Sequence, residues 1–282
     1  MYFPAGSPFP FLATHATKTS TSIGSQKTLV DNHNQLDCYY CSTMESVVSL
    51  NNTAVHSLEC GEIDSARDCL QLAIDELFEL SCEEKVFGSE SSTEMTVLQR
   101  QQALHILVNG WSKPISPSSN ERLSCEGVFL FARAVLLKRP PQQNASTEHP
   151  VNTSFILDLY STITLYNKAI LYHVLACQSA ESDLAQNAYD HYELAYLSCR
   201  RIDPGYTYFE TQMLNLALFN NMGALFYCDM ARFQDASQCF RATYGLIFRI
   251  DVNELRRVLG AEEIEHFSTN IFLIPCCSTP AA

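Results

Sequence analysis

From residue 47 onward, apolar side chains recur at helical spacing with polar breaks between. Val47, Leu50, Ala54, Val55 and Leu58 share one helical face, Gly61 interrupts, and Ile63, Ala66, Leu70, Ala73, Ile74 and Leu77 take up the period again. The pattern predicts two helices folded back as a hairpin. A second pair follows. Residues 152–177 carry Ile156, Leu159, Ile163, Tyr166, Ala169, Ile170, His173 and Val174 on so broad a face that the helix should be covered on more than one side. Its partner begins near Asp183, with Leu184, Ala188, Tyr192, Ala195 and Leu197 at helical spacing. After Arg200-Arg201, Asp203-Pro204-Gly205 marks a turn, and Phe219 to Tyr244 predicts a third hairpin. A last helix, Val252 to about Phe272, presents Leu255, Val258, Leu259, Ile264 and Phe267 and should cover the exposed face of that hairpin.

Three stretches break the period. Residues 1–41 mix Pro, Gly, Ser, Thr and Asn without a sustained apolar face and are expected to be a disordered arm. Residues 82–151 form an insertion with Gly88, a Ser-rich tract, Pro114, Pro117 and Pro140-Pro141. Within it, Ala103–Val108 and Val128–Leu137 are short apolar runs that pair as a small β-hairpin or remain extended. Residues 273–282 read as a tail. One domain, 42–272, is thus expected between arm and tail.

The third hairpin carries a more specific signal. Gly223 lies between Phe219 and Phe226 on one helix, and Ala236 precedes Phe240 by four residues on the next. Where side-chain bulk is missing, two helices can cross closely. Small, bulky and aromatic residues in this order resemble the tetratricopeptide repeat. The first pair resembles it too: Leu50, Ala54, Gly61, Ala66, Leu70 and Ala73 hold the family's places, with Ala54 and Ala66 twelve apart as usual. Ser57 stands where an aromatic is usual. Gly223 and Ala236 are thirteen apart, Thr243 replaces an Ala, and Ala169 and Ala188 are nineteen apart. The resemblance implies an all-α fold, an irregular array of tetratricopeptide-like hairpins in an α–α superhelix. Three irregular units with a large insertion are also similar to a group of helical-repeat proteins of diatoms and related algae, a similarity that implies no activity.

Composition narrows the function. A formal charge of -13 disfavours nucleic acid and anionic membranes and favours a neutral or basic partner. No apolar run approaches the ~20 residues that cross a bilayer, so the chain is expected to be soluble and cytoplasmic, with the nucleus as the alternative compartment. Cys38-x-x-Cys41 has no second pair at zinc-site spacing, and Cys276-Cys277 falls in the tail. The chain carries no familiar nucleophile, phosphate-loop or metal-ligand motif, so no catalytic residue, cofactor or metal is assigned.

Asparagine recurs two residues before the small residue of each first helix, at Asn52, Asn167 and Asn221, with Asn51 and Asn220 beside the outer two. In the tetratricopeptide family this part of the first helix lines the concave face, which nominates Asn52, Asn167 and Asn221 as groups that hydrogen-bond the backbone of a bound peptide. A structural role bonding neighbouring helices is the other reading of the same amides. Lys168 lies nearby, without the set of basic groups that an acidic peptide tail needs. The function expected is a non-catalytic scaffold or adaptor that takes an unknown protein or peptide in a helical groove. The alternative is an enzyme or small-molecule sensor with a pocket between the helices and the insertion.

Overall fold

A computed structural model describes residues 27–87, 95–115, 128–140, 152–179 and 181–273. The chain divides into two compact units, Met1–Cys38 and Tyr39–Ala282. Of the first, residues 27–38 are helical.

The described residues are mostly α-helical. Helices α1 (Lys27–Cys60), α2 (Ile63–Phe87), α3 (Val97–Leu107), α4 (Thr153–Gln178), α5 (Ser182–Ile202), α6 (Phe209–Cys228), α7 (Phe233–Ile247), α8 (Val252–Val258) and α9 (Ala261–Phe272) are joined by one small sheet, β1 (Val108–Trp111) and β2 (Val135–Leu137). Within the second unit α2 packs on α4, α4 on α5, α5 on α6, α6 on α7, and α9 on both α7 and α6.

Local chemistry explains the turns. Gly61 ends α1 with φ +78, and the N–H groups of Gly61 and Glu62 bond back to Leu58 and Ser57, a left-handed cap that only glycine adopts without strain. Ser57 is buried against the Ser65 hydroxyl at 3.2 Å, so a polar contact fills the α1–α2 crossing there. Asn152 caps α4 by accepting from the Phe155 N–H. The buried Asp203 carboxylate accepts from the Thr207 and Tyr208 N–H groups and the Thr207 and Thr211 hydroxyls, which fixes the α5–α6 connection. Arg201, in the last turn of α5, grips Asp158 of α4 through two nitrogens at 2.7 and 2.9 Å.

The α6–α7 crossing is as close as its small residues predict. A Cβ on Gly223 would lie 2.5 Å from Cε1 of Phe240, so only hydrogen fits beneath that ring. The turn of this hairpin passes through Ala231, whose φ of +51 is left-handed.

Four expectations need correction. The arm was expected to run to residue 41, yet α1 is helical from Lys27; residues 27–60 contain neither Pro nor Gly, and extending an existing helix costs far less than starting one. Residues 1–26 lie outside the described residues, as do Cys276 and Cys277. In the insertion, Ala103–Leu107 is the end of α3 and not a strand, because Thr96 and Gln99 form a capping box that starts a helix at Val97. The strand pairing with Val135–Leu137 is Val108–Trp111, antiparallel, with an irregularity between Val108 and Gly110. The last helix is two, α8 and α9, divided at Leu259–Gly260, where Glu263 accepts from the Gly260 N–H. Leu197, assigned by its spacing to the core face of α5, is 48% exposed, while Ala195 and Cys199 point inward.

Candidate functional site: an asparagine ladder

The insertion returns as an extended segment, residues 128–138, laid across the helices. Its side chains are largely buried, among them Val128, Phe131, Ala134, Val135 and Leu137. A buried extended strand needs a partner for every main-chain N–H and C=O. Here a sheet supplies a few and side-chain amides supply most of the rest.

Beginning at the N-terminal end of the segment, the Phe129 N–H donates to Asn270 Oδ1 at 2.7 Å, and its carbonyl accepts from Asn270 Nδ2 at 2.7 Å and Asn220 Nδ2 at 3.1 Å. Two residues on, Phe131 exchanges both groups with Asn221, at 2.9 and 3.0 Å. The Arg133 carbonyl accepts from the Tyr166 hydroxyl at 3.2 Å. Val135 donates to Asn167 Oδ1 at 2.8 Å, and its carbonyl accepts from Nδ2 of Asn167 and of Asn51, at 2.9 and 3.1 Å. Leu137 exchanges both groups with Asn52, at 2.9 and 2.8 Å. The Tyr160 hydroxyl closes the row on the Lys138 carbonyl at 2.6 Å.

Asparagine suits this task because its carboxamide has one acceptor and two donors in a plane, like a peptide group, and so pairs with a residue's N–H and C=O together. The contacts fall on alternate residues, the period with which an extended chain turns the same edge outward. They come from α9, α6, α4 and α1 in succession. Eight residues of extended chain rise roughly 27 Å, about what three helix-to-helix steps of about 9 Å would cover. The rungs are tied to one another: Asn167 Nδ2 also donates to Asn51 Oδ1 at 2.9 Å, joining α4 to α1, and Asn270 Nδ2 donates to Asn220 Oδ1 at 2.8 Å, joining α9 to α6.

Side chains fix the segment's position along the row. Arg133 forms a bidentate pair with Glu263 of α9, at 2.6 and 2.7 Å. Phe131 sits between Trp111 and Phe267, ring centroids 5.3 and 5.1 Å away, and Trp111 packs edge-on to Tyr166 at 5.8 Å. On the opposite edge, the Ser112 and Ile115 N–H groups bond the carbonyls of Ala134 and Ala132.

Asn52, Asn167 and Asn221 are therefore brought to one row, where they bond an extended main chain, and Asn167 also bridges α4 to α1. The backbone they hold is the chain's own. Asn51, Asn220, Tyr166 and Tyr160 belong to the row as well. Asn270 joins it from α9; no small residue follows it at the spacing seen in the other helices, so the rule that found the others passes over it. Lys168 is not part of the row. It is buried against α2, where its ammonium donates to Gln71, and burial pulls its pKa down while Asp75 opposes that shift.

One further polar cluster, around the buried His173, stands apart. His173 Nδ1 lies 3.3 Å from the Tyr192 hydroxyl, and Nε2 lies 3.8 Å from Asp229 Oδ2. Burial pushes His173 down to about 3, so the ring is neutral at pH 7 and the Asp229 contact is not an ion pair. Among the described residues no three His, Cys, Asp or Glu side chains group to hold a metal ion, and no helix is long and apolar enough to cross a membrane. Compared with known proteins, the chain matches no family model, no curated protein and no solved structure.

Proposed function

We propose that this chain is a non-catalytic interaction scaffold, an irregular superhelix of tetratricopeptide-like hairpins whose concave face bears the asparagine ladder and takes extended polypeptide by its main chain. The observation that carries this reading is that the carboxamides bond both main-chain groups of residues 129, 131, 135 and 137, so the row recognises a strand and not a particular side chain. Residues 128–138 are, in this reading, a resident occupant that a partner strand replaces. Main-chain bonds supply affinity, and the aromatic surround of Phe131 supplies selection. A charge of -13 and the carboxylate of Glu263 opposite Arg133 favour a neutral or basic partner over nucleic acid or an anionic membrane.

The test loosens the occupant and leaves the ladder alone. Val135→Pro removes the N–H that Asn167 accepts and disrupts the short sheet. A fluorescent peptide spanning residues 127–139 should then bind the variant in trans, and bind wild type much more weakly. No binding to a variant that keeps wild-type helicity would reject the reading.

A further inference from the structure

A cleft of about 220 Å³ opens where α3 and the sheet meet α4, α6 and α8. Its walls are apolar, formed by Leu104, Trp111, Ile163, Met213 and Leu214 among others. An apolar cavity of 150 Å³ accommodates benzene, so this one takes a body of roughly nine or ten non-hydrogen atoms. Its polar side chains are unevenly charged: Lys138 and Arg257 face one carboxylate, Glu210. Glu210 already has a neighbour, His105 Nδ1 at 3.7 Å, and Arg257 is held by Glu254 at 2.5 Å. The Lys138 ammonium is 3.5 Å from the His105 carbonyl, and no carboxylate pairs with it among the described residues. Among the described residues Lys138 is thus the cleft's lysine or arginine without a carboxylate partner.

We propose that this cleft binds a compact amphipathic monocarboxylate, its apolar body against Trp111, Ile163 and Leu214 and its carboxylate on Lys138, with Arg257 as the second cation. Apolar walls with one oriented charge are the usual composition of a small-molecule site. The site shares two residues with the resident segment, Val135, whose main chain is held by Asn167, and Lys138, whose carbonyl accepts from Tyr160, so it is complete only while that segment is in place. A bound carboxylate therefore braces the resident segment through Lys138.

Trp111 is the chain's only tryptophan and lines the cleft, so its emission reports occupancy directly. Octanoate, octan-1-ol and octylamine are titrated against the full-length protein. Octanoate should give a saturable change at a concentration about tenfold below that needed for octylamine, the size of preference that one unmatched charge gives. Lys138→Glu, at an exposed position, should weaken octanoate by about tenfold or more and leave octan-1-ol unchanged. Val258→Phe, which narrows the mouth from α8, should weaken all three. Equal binding of octanoate and octylamine, octanoate binding indifferent to Lys138→Glu, or no saturable change with any ligand would each overturn the proposal.

Discussion

Two regions bring helices together here by opposite means. At the α6–α7 crossing, contact is made by removing matter: Gly223 has no side chain, and the Phe240 ring fills the space. Along residues 129–137 it is made by adding polar groups to the interior, each carboxamide facing a peptide group it can satisfy. The first device depends on shape and tolerates no added volume. The second depends on complementarity and tolerates no change of donor or acceptor, because a buried main-chain group left without a partner loses its hydration with nothing in return. A crossing joins two helices, whereas one strand held by amides ties α1, α4, α6 and α9 together.

The sharpest break in that comparison is Asn221→Asp. Its shape is kept, but the donor to the Phe131 carbonyl becomes a second acceptor and a buried carboxylate; urea unfolding should show a loss of roughly 3–5 kcal/mol. Asn167→Ala removes bonds to Val135 N–H, Val135 O and Asn51 Oδ1, and the same assay should register about 2–4 kcal/mol. At the apolar crossing, Gly223→Ala should cost about 1–3 kcal/mol by overpacking, and Phe240→Leu in the same chain should return part of it, since the two sites share one contact. Asn221→Asp should gain nothing from Phe240→Leu.

Acid probes the buried imidazole. His173 binds a proton near pH 6.5 when unfolded but only near 3 when folded, so its contribution is complete above pH 6.5 and falls as pH drops toward 3. By pH 5 the loss should be about 2 kcal/mol. The half-buried Asp229 carboxyl, raised by burial, acts weakly the other way. His173→Gln should flatten the stability profile between pH 7 and 5. The smallest effect should come from Ala231→Gly, which relieves a left-handed φ of +51 and should raise stability by about 0.5–1 kcal/mol.

The six helices of the three pairs and their order could be read from the chain because helical periodicity is local. Gly223 and Phe240 are close in sequence, and Gly61 and Asp203-Pro204-Gly205 mark turns by their own chemistry. The ladder is another matter. Asn52, Asn167 and Asn221 stood out by their regular spacing before small residues, but what they hold lies 85, 32 and 90 residues away, and no local pattern encodes such a pairing. Val128–Leu137 reads only as an apolar run until the amides on α1, α4, α6 and α9 are seen around it. The α3 helix was within reach, since Thr96-x-x-Gln99 is a capping-box signature. The division at Gly260 was also marked, by a glycine three residues before Glu263.

Hydrogen exchange at single amides tests the ladder most directly. The N–H groups of Phe129, Phe131, Val135 and Leu137 should exchange as slowly as those in the middle of α4, and in Asn167→Ala the Val135 amide should lose more protection than the other three. Exchange of all four at the rate of an unstructured chain, or an Asn167→Ala profile unchanged at Val135, would contradict it.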